Sequence, residues 1–164
     1  MLKKVVGLGD FLVSLSPKGY LRFIQTREFE ISYTGAEANV LASLSYMGVP
    51  TEFVTRLPDN DIARCGIGID FIVFGGERIG TLYLEKGASQ RPSKVVYDRK
   101  FSGICEAEPQ HFDWTGIFDG AGWFHLTGIT PALSPSTAEV ALTACRSAKE
   151  RGIPISCDLN YRKN

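Results

Sequence analysis

Four short stretches carry side chains whose types and spacing suit the holding of a small polar anion. In Asp158-Leu159-Asn160-Tyr161-Arg162, alternation at a strand end would put Asp158, Asn160 and Arg162 on one face. The guanidinium fork of Arg162 can grip a carboxylate or an oxygen of a phosphoryl donor, while Asn160 and Asp158 can hold hydroxyls or neighbouring backbone. Tyr97 and Arg99, two apart in Val95-Val96-Tyr97-Asp98-Arg99, also share a face. Gly35 lacks a Cβ and permits close approach to the backbone, and four residues on Asn39 offers both a donor and an acceptor. Asp10 directly follows the first apolar run, where a carboxylate suits hydroxyl binding at the mouth of an α/β sheet. Each has a structural alternative: an ion pair at a sheet edge for Asp158 to Arg162, and a charged edge strand that discourages aggregation for Tyr97 and Arg99. For Gly35 and Asn39 it is helix-sheet packing with a local cap, and for Asp10 a plain turn.

The elements that must position these groups are legible in the pattern. Residues 2–8 form a nearly continuous apolar strand that ends at Gly9-Asp10. Residues 11–16 and 29–33 alternate as short strands around a Pro-Gly turn at 17–19. Thr34-Gly35 opens a helix that closes near Met47-Gly48, and Pro50 prevents its continuation. Residues 51–56 are a further strand, and 73–85 read as a hairpin turning at Gly75-Gly76. Residues 95–99 add an edge strand. Residues 122–127, a helix over 136–151 introduced by Ser134-Pro135, and 153–159 make a βαβ unit. Between Arg56 and Ile72 the chain looks too short for a crossover helix plus a returning strand, and its glycines disfavour a helix.

The composition narrows the class of function. With 164 residues, 44% hydrophobic and 22% charged, the chain can bury one sizeable core. Its 18 Lys plus Arg balance 18 Asp plus Glu, so no broad positive field is available for nucleic acid or anionic lipid. The N-terminus has only a short apolar run broken by glycines, which reads as a strand rather than a leader. Cys65, Cys105, Cys145 and Cys157 are widely spaced and read as free buried thiols of a reducing compartment, the cytoplasm. Neither His111 nor His125 is adjacent to a cysteine, so a zinc site has little to build on, and His125 reads as a core residue or a support behind the site, with no acid/base role.

Gly35-Ala36-Glu37-Ala38-Asn39, followed by Ala42 and Gly48, resembles the N-terminal signature of the ribokinase-like (PfkB) carbohydrate kinases. Arg56-Leu57-Pro58-Asp59-Asn60-Asp61 is similar to that family's stretch after its second core strand. His125 to Pro135, Arg91 to Arg99 and Asp158 to Arg162 resemble 2-keto-3-deoxygluconate kinases in particular. The resemblance implies an α/β, ribokinase-like fold: a three-layer α/β/α core with a small antiparallel β lid, of which the chain holds the N-terminal half. Residues 1–164 would then be part of one kinase domain with lid strands near 11–33 and 72–99, and no second domain.

The implied activity is transfer of the ATP γ-phosphoryl group, with Mg2+, to 2-keto-3-deoxygluconate. The nearest alternatives are a kinase for fructose or another sugar, and a non-catalytic sugar-acid-binding module. The implied substrate contacts are Asp10, Gly35, Asn39, Tyr83, Tyr97, Arg99, Asn160 and Arg162, with Asp158, Asn160 and Arg162 also towards the phosphoryl donor. For Tyr83 the register leaves a choice, since the family's tyrosine follows the turn glycine by one or two residues and Leu82 is the other candidate. The catalytic base of the family lies in a Gly-Ala-Gly-Asp segment, which this sequence does not contain, so the base is expected outside it. The resemblance also implies a homodimer joined through the lid.

Overall fold

A computed structural model describes residues 2–59 and 71–161. In chain order its elements are β1 (Lys4–Leu8), β2 (Leu12–Pro17), β3 (Phe29–Thr34), α1 (Ala36–Tyr46), β4 (Thr51–Leu57), β5 (Ile72–Phe74), β6 (Gly80–Glu85) and β7 (Lys94–Asp98). A 3-10 turn at Pro109–His111 follows, then α2 (Trp114–Phe118), β8 (Ala121–Thr127), α3 (Ile129–Ala132), α4 (Pro135–Glu150) and β9 (Ile155–Asp158).

Five strands form a central sheet in the order β5-β4-β1-β8-β9, and every neighbouring pair in it is parallel. Such a sheet must be covered on both faces. On one face Val6, Leu8, Val54, Phe124 and Leu126 pack with Val140, Ala141, Ala144 and Ala148 of α4. Aromatic rings run from Phe112 through Trp114 and Phe118 to the fully buried Phe124. On the other face Phe53 and Leu57 join Leu41 of α1, for which Gly7 leaves room. The expected three layers are present.

Local chemistry sets the helix limits. Ser134 caps α4 by accepting from the Thr137 amide at 3.1 Å, Pro135 occupies its first turn, and Gly152 leaves the helix at φ 67°. Gly48 does the same after α1 at φ 79°. The short helices α2 and α3 have no counterpart in the expected pattern, because a single turn shows no helical periodicity.

The second sheet has the order β3-β2-β6-β7. Its outer pairs, β2 with β3 and β6 with β7, are antiparallel as expected, but its central pair, β2 with β6, is parallel. The hairpin expected over 73–85 is not formed. Residues 72–74 are instead a strand of the central sheet, parallel to β4 through Thr55 opposite Ile72, and β6 belongs to the lid. Gly75 and Gly76 are needed there for packing: a side chain on Gly75 would strike the Arg56 guanidinium, and one on Gly76 the backbone of Gly103. Arg56 also donates to the Gly103 carbonyl at 3.1 Å, so this member of the Arg56 to Asp61 stretch is structural. The strand returning after β4 is therefore β5 itself; residues 60–70, where the chain looked shortened, lie outside the described residues.

Candidate functional site

Because the central strands are parallel, their C-terminal ends open along one edge of the sheet. From β1 the order runs outward through β4 and β5 on one side, while β8 and β9 lie on the other. The crevice at such a reversal is where open α/β sheets hold ligands. Asp10 follows β1 there, Gly128 follows β8, Asn160 follows β9, and Gly35 begins α1. The torsions of Gly35, φ −177° and ψ 139°, are ordinary extended backbone. What restricts this position is space, since a Cβ would collide with the Asp10 carbonyl oxygen.

The lid contributes its residues at the same edge. Arg99, directly after β7, brings Nε to 2.9 Å from Oδ2 of Asp10, and its guanidinium lies 4.1 Å from the Tyr97 ring centre. The contact with Asp10 is an ion pair without an aligned hydrogen bond, as neither the two Asp10 oxygens nor Arg99 Nε has such a partner. Asp10 is only 2% exposed. Burial is the main cause that pushes its carboxyl up to about 6; Arg99 lowers it, Glu37 raises it and the Phe11 amide lowers it. A cleft of about 240 Å3 is lined by Arg99, Gly128, Ile129, Ala132, Leu133 and Asn160. Tyr97 is half exposed and Asn39 exposed.

Glu37 is a residue of this edge that the sequence reading passed over. Fully buried, it accepts through Oε1 from the Thr127 amide and hydroxyl, both at 2.9 Å, and from the Thr130 hydroxyl at 3.0 Å. It thereby ties α1 to the end of β8. Gly9 is kept bare by the same carboxylate, which a Cβ would strike. The available signal was an acidic residue inside an otherwise apolar helix start, two residues after Gly35 and two before Asn39.

Two expected placements change. Asp158, Asn160 and Arg162 were to share a face by alternation, but the strand ends at Asp158 and Asn160 takes a left-handed φ of 49°. The carboxylate of Asp158 accepts from the Asn160 amide at 2.8 Å, which closes a tight turn instead of extending the strand. Asn160 still reaches the cleft; Arg162 lies outside the described residues. Tyr83 stands beside Val96 and packs edge-on against Phe29 at 6.4 Å, on the lid face opposite Tyr97. Leu82 is the residue paired with Tyr97 and shares its lid face.

His125 sits within β8, with Nδ1 2.9 Å from the Ser156 hydroxyl. Among the described residues no group of three or more His, Cys, Asp or Glu could hold a metal ion, and no helix is long and apolar enough to cross a membrane.

No family model matches the chain. A 2-dehydro-3-deoxygalactonokinase of Haloferax volcanii is 32% identical over 171 residues, covering 99% of this chain and 53% of its own length. Among solved structures, the 2-dehydro-3-deoxygluconokinase of Thermotoga maritima is 48% identical with a TM-score of 0.92, over 98% of this chain and 52% of that one. A PfkB family carbohydrate kinase of Listeria grayi is 38% identical with a TM-score of 0.91, again over 98% and 52%. The chain spans about half the length of the curated relatives it matches. In sequence and fold alike, it is similar to about half the length of these carbohydrate kinases.

Proposed function

We propose that the chain forms the sugar-acid-binding part of a kinase that transfers the γ-phosphoryl group of ATP, with Mg2+, to 2-keto-3-deoxygluconate. The observation that carries this reading is the cation at the cleft: Arg99, stacked on Tyr97, lines a cavity whose other wall is the turn at Asn160. A carboxylate entering there meets a fork of donors. Gly35 allows the sugar close to the start of α1, Asn39 and Tyr97 serve its hydroxyls, and Arg162 is a second candidate for the carboxylate. Asn160 and, by resemblance, Arg162 are assigned to the phosphoryl donor, and Asp158 supports Asn160 by closing the turn. None of these residues is assigned as the catalytic base. Relatives named for the phosphorylation of 2-dehydro-3-deoxy sugar acids support the choice of an acid over a neutral sugar such as fructose.

Calorimetric titration of 2-keto-3-deoxygluconate and, separately, of fructose into the chain tests this. Saturable binding of the acid, lost in Arg99→Ala and Arg162→Ala, is expected. Preference for fructose would move the reading to a neutral-sugar kinase, and no binding by a sample with a cooperative melt would defeat it.

The same reading includes a cytoplasmic homodimer joined through the lid. Phe29, Ile31 and Tyr33 line one lid face and are all substantially exposed, Ile31 by 67%. Light scattering that gives the mass of two chains would support the pairing, and a stable monomer would remove it.

A further inference from the structure

A carboxylate as deeply buried as that of Asp10 is held where a partner compensates it. Its ion-pair partner is Arg99, which reaches it from the point where the lid returns to the core. The contact uses Nε, at one side of the planar guanidinium. A guanidinium approached at Nε has its end-on edge, with two terminal nitrogens, still to offer, and two parallel N–H donors fit a carboxylate. Asp10 does not line the cleft, whereas Arg99 does.

We propose that Asp10 is a positioning residue: it holds Arg99 by Nε from the end of β1, so that the terminal nitrogens of the guanidinium face the cleft and take the carboxylate of the sugar acid. The cation-π contact with Tyr97 and the ion pair with Asp10 together hold the group at the end of β7. The pairing also fastens the end of β7, the edge strand of the lid, to the core. This inference rests on the sugar-acid reading for the ligand, but not for the fastening.

Two measurements on the whole chain separate these parts. Without ligand, amide hydrogen exchange over residues 94–98 is compared among wild type, Asp10→Asn, Arg99→Ala and the double variant, each checked for a cooperative melt. Faster exchange in both single variants, with no further gain in the double, is expected. Unchanged exchange in Asp10→Asn would overturn the fastening, and Arg99→Ala, which alters the outer partner alone, tests the same contact if Asp10→Asn does not fold.

With 2-keto-3-deoxygluconate, both single variants are expected to lose roughly tenfold or more in affinity, the size of a hydrogen bond to a charged group. The double variant should lose no more than either, and Asp10→Glu should recover part of the loss. Independent, multiplying losses would mean that Asp10 touches the sugar itself and would overturn the positioning role. If wild type binds no sugar acid while the exchange pattern holds, the fastening stands, and the guanidinium's role towards the acid falls with the sugar-acid reading.

Discussion

Glu37 receives three hydrogen bonds on a single carboxylate oxygen, two of them from Thr127, and so joins the first helix to the strand beside β1 at the edge where the site lies. Removing the carboxylate strands two buried hydroxyls and one amide. Glu37→Ala is therefore expected to destabilise the chain by about 3 kcal/mol, since each orphaned buried donor costs about 1–3 kcal/mol and part of the loss is relieved by rearrangement. Glu37→Gln, which keeps an acceptor oxygen, should lose less than half as much. Urea unfolding of the three proteins measures both.

The buried Asp10 makes stability depend on pH in the sense opposite to an ordinary paired carboxylate. Its carboxyl lies at about 6, against 3.8 for an unperturbed group. In that interval the folded chain keeps a proton that the unfolded chain gives up. The contribution is full below about 3.8 and is lost as pH rises through about 6, on the order of 3 kcal/mol in all. The groups that face Asp10 are Arg99, whose charge limits the rise, and Glu37, whose charge adds to it. Asp10→Asn should gain stability relative to wild type between pH 4 and 7 in urea unfolding. A difference that stays flat across this range would mean that the carboxyl titrates as an exposed one does.

Affinity for the acid should move the other way. Only ionised Asp10 attracts Arg99, so binding of 2-keto-3-deoxygluconate is expected to strengthen as pH rises through about 6. The dependence should vanish in Asp10→Asn. A pH profile that is the same in both proteins would show that another group governs it.

Much of this edge was legible from residue types alone. Gly35, Arg99 and Tyr97 are where the spacing put them, because strand alternation and helix starts are local rules. Two things were not local. The placement of residues 72–74 in the central sheet depends on pairing with β4, and a Gly-Gly pair that packs under Arg56 looks in sequence like a hairpin turn. The turn at Asn160 arises because Asp158 caps it, so alternation stops at Asp158 and does not carry on to Asn160 as the sequence suggests. Glu37 was hidden for a related reason: a buried acid declares its role only through donors that lie some ninety positions away, at Thr127 and Thr130.

Gly35 gives a sharper test of geometry than of chemistry. A methyl group there meets the Asp10 carbonyl oxygen, so Gly35→Ala must push the end of β1 away from the start of α1. Overpacking of this kind costs about 1–3 kcal/mol. The same shift moves Asp10 relative to Arg99, so the variant should lose affinity for the sugar acid even where a melt shows it folded. Full affinity in a folded Gly35→Ala chain would show that the close approach at this point is not used by the ligand.

Tyr83 and Tyr97 lie on neighbouring strands but on opposite lid faces, which lets one substitution serve as the control for the other. Tyr83 packs on Phe29, so Tyr83→Ala should weaken the lid, lowering stability by about 1–2 kcal/mol for a half-buried ring that also loses its aromatic partner. It should leave affinity for the acid within about twofold, because the ring lies on the lid face opposite Tyr97. Tyr97 is half exposed and carries Arg99 on its face. Tyr97→Ala should therefore cost little stability yet weaken acid binding several-fold, as the guanidinium loses a cation-π contact worth about 0.5–2 kcal/mol. Calorimetric titration beside urea unfolding reads both effects. If Tyr83→Ala proved the more damaging to binding, the lid would have to present its other face to the sugar, and the placement of Arg99 at the cleft would have to be given up with it.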